Sequence, residues 1–197
     1  MHVIFENTNL DINKYKKVIY KKGDILFEEG QKTDYIGFVE SGAISIKTYT
    51  YNEKEYEINN ITDNGIFAQF ILFTDNPIFL GTVIAEKETS VIYLTRKQIL
   101  NALQNEKFAE NYLKLTSKIT LNIQKKVKLL TQKEIKDKIL FLLYEHKKRN
   151  KTNIYPIKSK EKLASFLNVT RPSLSREIIK LRNEGIITYN KNYIILK

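Results

Sequence analysis

Between Val169 and Glu177 the chain reads VTRPSLSRE, a stretch of hydroxyl groups, one proline and two arginines. A surface helix shaped only by stability favours alanine, leucine and glutamate at such positions. Thr170, Arg171, Ser173, Ser175 and Arg176, with Lys180 a turn further on, offer hydroxyls and cationic donors. Such groups recognise anions and base edges. Thr170 is a good N-cap, and Pro172 falls in the first helical turn, where its missing N–H costs nothing. Thr170 and Ser173 can meet phosphate through their hydroxyls or through the helix N-terminus. Arg176 points away from the stripe of Leu174, Ile178 and Leu181, so its guanidinium is placed to grip guanine O6 and N7 together. Arg171 suits the same role or a phosphate contact. The plain alternative for each arginine is a solvated surface charge.

The flanking sequence supplies the elements that hold this helix. Ser159 is positioned to cap a helix over Lys160–Leu167, with Leu163, Ala164 and Leu167 inward and Asn168-Val169 as the turn. Gly185 ends the second helix. Ile186–Tyr189 and Tyr193–Leu196 flank Asn190-Lys191-Asn192 as a β-wing would. Upstream lie a helix from Glu134 to Lys148, with Ile135, Ile139, Leu142 and Leu143 inward, the polar break KKRNKTN, and a short strand Ile154–Ile157. Two short helices, a tight turn and a basic outer face describe a winged helix-turn-helix, whose second helix lies in a major groove.

The charge has the matching distribution. Residues 132–197 hold 16 Lys and Arg against 6 Asp and Glu, whereas the first 131 residues are nearly balanced, and the net charge is +11. A one-sided basic field suits a polyanion such as double-stranded DNA; a solubility tail or a membrane-surface patch would have the same sign. The absence of cysteine excludes disulfides, thiol nucleophiles and cysteine-ligated iron–sulfur clusters, and suits a reducing, cytoplasmic setting. The first residues lack the pattern of a secretory signal, and the apolar block near Phe67–Phe73 is far too short to span a bilayer, so no membrane partner is expected.

From Val18 to Arg96 the chain reads as short strands. Gly23 and Gly30 bracket Ile25-Leu26-Phe27. Ile36 and Phe38, then Ile44, Ile46 and Thr48, alternate on either side of Ser41-Gly42 within YIGFVESGAISIKTYTY. Many such strands predict a sandwich or barrel. From Gln98 to Leu130 there is no Pro or Gly, and Phe108, Tyr112, Leu115 and Ile119 recur at spacings of 4, 3 and 4, continued by Ile123. This predicts one long helix, either a dimerisation helix or one packed along its own domain. The expected organisation is α+β: a β-roll or jelly-roll-like barrel over 1–97, a long dimerisation helix over 98–131 and a winged helix-turn-helix over 132–197.

This order of parts resembles the Crp/Fnr family of bacterial transcription regulators. KEKLASFLNVTRPSLSREIIKLRNEGII carries the resemblance most specifically, with the barrel glycines and VESGAI as support. The resemblance implies a homodimer on a palindromic promoter site, contact with RNA polymerase, and an effector in the N-terminal barrel acting through the dimer helices. It places Arg171, Ser175 and Arg176 at base- or phosphate-contacting positions, and puts Pro172 where many members have a base-reading glutamate. The Gly-Glu and Arg-Ser pairs that hold ribose and phosphate in cyclic-nucleotide-binding members correspond to Ala68-Gln69 and Phe79-Leu80. No charge remains there for a cyclic phosphate, so cAMP is not expected and no cofactor is predicted. The candidate pocket of Phe67, Gln69, Phe70, Phe79, Leu80 and Val83 is apolar; it takes a small apolar or aromatic ligand or is filled by its own side chains. Haem has weak support, with His2 and His146 the only histidines.

Two rival functions fit the sequence less well. An enzyme lacks a Gly-x-Ser-x-Gly turn and any local histidine pair. A non-specific DNA-packaging protein needs the basic face but not an N-terminal barrel.

Overall fold

The computed structural model describes residues 2–49 and 55–197. Thr50 and Tyr51, the end of the alternating run, lie outside the described residues. The chain divides into two compact units, Met1–Ser117 and Lys118–Lys197.

The first unit is built from β1 (Lys16–Tyr20), β2 (Ile25–Phe27), β3 (Tyr35–Ser41), β4 (Ala43–Tyr49), β5 (Glu55–Thr62), β6 (Gly65–Phe67), β7 (Thr82–Ala85) and β8 (Thr89–Thr95). They form two antiparallel four-stranded sheets, ordered β1-β8-β3-β6 and β2-β7-β4-β5. Strand alternation explains how one sheet serves two apolar layers. Val39 of β3 and Val91 and Tyr93 of β8 face Leu26, Ile44, Phe67, Phe79 and Val83 between the sheets. Their neighbours Ile36, Phe38, Ile92 and Leu94 are buried on the other face, where His2 and Phe5 pack edge-on to Phe38. Two glycines are needed for this closeness. A Cβ on Gly37 would stand 2.1 Å from the Phe67 ring, and one on Gly42, at φ +108°, would stand 2.3 Å from the Thr89 hydroxyl.

The expected single helix from Gln98 is broken. Helix α1 covers Arg96–Ala102, and α2 covers Glu106–Leu130. Thr95 caps α1 through a capping box with Gln98, and Asn105 Oδ1 accepts from the Phe108 N–H at 2.9 Å, starting a second helix. Apolar periodicity runs through this break, so it hides from a pattern that ignores caps. At 1.5 Å per residue α2 is about 37 Å long.

The second unit adds α3 (Ile135–Asn150), β9 (Ile154–Pro156), α4 (Lys160–Leu167), α5 (Arg171–Asn183), β10 (Ile187–Tyr189) and β11 (Tyr193–Leu196). Helix α3 continues to Asn150, through part of the expected polar break. Lys147, Lys148 and Arg149 in its last turn favour the negative end of the helix, and Lys151 closes it at φ 52°. The three strands form a sheet ordered β10-β11-β9. Ile139, Leu143, Leu163, Ala164, Leu167, Leu174, Ile178, Leu181, Ile187, Ile194 and Leu196 make one core, joined by Leu129 of α2.

His2 ties the N-terminal segment to this frame. Its Nε2–H donates to the Gly65 carbonyl at 3.0 Å, while Nδ1 accepts from the Ile4 N–H at 3.2 Å. Burial lowers its pKa, against the weaker opposing effects of the Gly65 carbonyl and Glu40. The unfolded chain therefore binds the proton more readily than the folded one. The contribution of His2 to stability should be present above pH 6.5, the ordinary imidazole value, and decline as pH falls below it. His2→Asn, which keeps a side-chain acceptor without the titration, should flatten that decline in thermal unfolding between about pH 8 and pH 5. An unchanged profile would place the acid sensitivity elsewhere.

Candidate nucleic-acid interface

Leu174, Ile178 and Leu181 of α5 are each fully buried. With 100° between successive residues, the opposite stripe is Pro172, Arg176, Ile179 and Asn183. All four are exposed, as are the flanking Arg171, Lys180 and Arg182; Ser173 and Ser175 are half-buried at the edges. The outer face of α5 is thus cationic except at Pro172, Ile179 and Asn183.

The first turn is held by its own hydroxyls. Thr170 Oγ1 accepts from the Ser173 N–H at 3.3 Å and donates to Ser173 Oγ at 2.8 Å. Arg176 Nη2 donates to the same Oγ at 3.4 Å. Thr170 therefore has its proton engaged and acts as a cap, whereas Ser173 keeps its hydroxyl proton for an outside acceptor. This separates two residues that the sequence treats alike as phosphate contacts. Arg171 lies 3.9 Å from Glu161 of α4, with the two side chains 64% and 79% exposed. Such an exposed pair is weak and leaves the guanidinium able to turn to a phosphate.

Helix α4 is fixed at both ends. Ser159 Oγ accepts from the Lys162 N–H at 3.0 Å, and Asn168 closes the turn at φ 52°. Two lysines that sequence reasoning missed cap its C-terminus. Lys126 of α2 donates to the Phe166 carbonyl and sits 3.6 Å from the Phe166 ring centroid. Lys138 of α3 donates to the Leu167 carbonyl at 3.2 Å. Both cations meet the negative end of α4, and burial, with Lys138 nearby, lowers the Lys126 pKa. Lys126 and Phe166 are 40 residues apart, so no local spacing announces the contact. In the wing, Asn190 Oδ1 accepts from the N–H groups of Asn192 and Tyr193 at 2.8 and 3.0 Å, leaving Lys191 exposed at the tip.

The six residues expected to line a pocket in the first unit do not gather in one place. Phe67, Phe79 and Val83 are buried between the sheets, and Gln69 is half-buried. Phe70 and Leu80 face solvent, 51% and 70% exposed. They belong to the connection between β6 and β7, in which Leu72 and Phe79 are the side chains turned inward. Phe79 stacks on Phe27 with centroids 4.3 Å apart, and Phe67 and Tyr93 lie edge-on to Phe27. Tyr93 shares a 2.9 Å hydrogen bond with the Tyr20 hydroxyl, and burial raises its pKa. Ala68 stands at φ 64°, a conformation that favours glycine. Among the described residues no group of three or more His, Asp or Glu could hold a metal ion, and no helix is long and apolar enough to cross a membrane.

On α2, Phe108 is fully buried and packs on Phe5 at 5.6 Å, so it belongs to the first unit's interior rather than to a free seam. Its ring is taken up by the N-terminal segment, a contact between residues about 100 positions apart. Tyr112, Leu115 and Ile119 are half-buried, and Ile123 is 49% exposed.

Replacing Thr170 by alanine removes the cap of α5 and should cost about 1 kcal/mol. The expected readout is faster amide hydrogen exchange over Arg171–Arg176, restored by Thr170→Asp. Unchanged exchange would mean that packing of Leu174 holds the turn alone.

Comparison with known proteins agrees with this geometry. Residues 17–106 match the family described as cyclic nucleotide-binding domain. Residues 138–197 match the Crp-like helix-turn-helix domain. The chain is 22% identical over 179 residues to the anaerobic regulatory protein of Bacillus subtilis (strain 168), covering 87% of this chain and 75% of that one. In fold it is similar to CprK (C200S) complexed with OCPA, with a TM-score of 0.75 at 18% identity, covering 94% of this chain and 86% of that one. It is likewise similar to a CooA mutant from Carboxydothermus hydrogenoformans, with a TM-score of 0.71 at 16% identity, covering 100% of this chain and 92% of that one. Two matched domains in this order, one a double sheet and the other a helix-turn-helix with an exposed cationic helix, place the chain in the Crp/Fnr family of DNA-binding transcription regulators.

Proposed function

We propose that the protein acts as a homodimer on a two-fold-symmetric promoter site, each copy inserting α5 into a major groove. The observation that carries this reading is the outward face of α5, where exposed Arg176 lies on the stripe opposite a fully buried one and exposed Arg171 and Lys180 flank it. Arg176 is the base-reading residue, and Arg171, Ser173, Ser175 and Lys180 serve mainly phosphates and register. A non-specific packaging role would need the charge but not the ordered first turn of α5.

Dimerisation is assigned to α2. Ile123 and Val127 are 49% and 56% exposed and continue the face of Tyr112, Leu115 and Ile119. A second α2 covering that face would remove a row of apolar side chains from water.

The first unit is read as a sensor for something other than a cyclic nucleotide, or as a unit with no ligand. Phe79 and Leu80 offer no cation to a phosphate, and the Phe79 ring packs against Phe27. RNA polymerase is the expected partner of the DNA-bound dimer.

Selection of genomic fragments by the ligand-free protein at near-physiological salt should recover one inverted-repeat sequence, unaltered by added cAMP. Arg176→Ala should then lose discrimination at one base of each half-site, roughly 1–3 kcal/mol; equal loss on every DNA sequence would remove Arg176 from the reading role. Ile123→Glu combined with Val127→Glu should yield monomers by light scattering and weaken binding to paired half-sites. A persisting dimer would move the interface off α2.

A further inference from the structure

The outward stripe of α5 holds one feature that phosphate binding does not explain. Ile179, 41% exposed, stands between Arg176 and Asn183 on the face opposite the core. A β-branched side chain in a helix is nearly locked in one rotamer, so it presents a fixed apolar shape rather than an adaptable one. Arg176, Lys180 and Arg182, all exposed, frame it with positive charge. An apolar protein surface covering Ile179 would have to desolvate those cations. A major groove would not, because its walls are phosphate and its floor carries an apolar group, the C5-methyl of thymine. Pro172, on the same stripe, has no donor on either side chain or backbone, so it too can meet a base only through apolar contact.

We propose that Ile179 reads a thymine methyl group in each half-site and is a specificity-determining residue of α5. This rests on the DNA-reading role proposed above and adds a base to it. Three residues of helix separate Ile179 from Arg176, a rise of about 4.5 Å, against 3.4 Å per base step. The thymine therefore lies one or two steps from the guanine that Arg176 grips.

The test uses the full chain and the inverted repeat recovered by selection. Each thymine is replaced in turn by deoxyuridine, which lacks only the methyl group. One position per half-site should weaken binding by about fourfold, the worth of one buried methyl-sized group. Ile179→Ala should bind the thymine and deoxyuridine sites equally, and Ile179→Val should retain most of the difference. Since Ile179 is outside the core, both variants should melt like the parent. The proposal falls if no thymine responds, or if Ile179→Ala keeps the full response, in which case Ile179 serves another surface. If the parent protein selects no sequence at all, the DNA-reading role itself fails, and this proposal with it.

Discussion

The burial of Leu174, Ile178 and Leu181 against α3, α4 and the wing strands is the constraint on which the reading face depends. These three side chains lie in one core with Ile139, Leu163 and Ile194. A helix anchored along one stripe has no rotational freedom, so its outer residues are fixed in direction by their spacing alone. The caps at Thr170 and Asn168 then set the height of the helix along its axis. Removing a Leu or Ile from such a core costs about 2–5 kcal/mol, far more than any exposed ion pair on the outer face contributes. The order of importance for stability is therefore packing first, caps second and surface charge last, although it is the outer face that would touch DNA.

In the first unit the corresponding constraint is aromatic. Phe27, Phe67, Phe79 and Tyr93 pack ring against ring between two sheets, and Gly37 is bare because the Phe67 ring occupies the place of its side chain. A cation in this layer would have to give up hydration without a partner. Whatever enters this layer meets aromatic rings and the paired hydroxyls of Tyr20 and Tyr93.

The second unit was legible because its signals are local. Ser159, Thr170, Pro172 and Gly185 punctuate the sequence at the places where the helices begin and end. The inward stripes follow a period of 3.6. Two kinds of feature are not legible in the sequence. The break before α2 was missed because periodicity was read without the Asn105 cap. The surroundings of Phe108, Lys126, Phe70 and Leu80 are not legible locally because they come from distant sequence: Phe5 for Phe108, Phe166 for Lys126 and the connection between β6 and β7 for the other two. Ile179 was legible in principle, as it lies three residues from Arg176, but an apolar residue in an apolar-periodic helix passes for core until its exposure is known.

Charge and selectivity place opposite demands on the second unit. An excess of ten positive charges over residues 132–197 attracts any DNA, and that attraction weakens with salt without favouring one sequence. Discrimination must come from the few side chains that reach base edges. Pro172 contributes no hydrogen bond, which leaves fewer polar readers than the family resemblance implies. Two-fold symmetry offers a way around this shortage. If each half-site contributes one bidentate guanine contact and one methyl contact, the dimer applies both twice, and for well-separated positions the energies add. A short list of readers on a strongly basic helix is then sufficient, provided that the helix is rigid. The buried stripe of α5 supplies that rigidity.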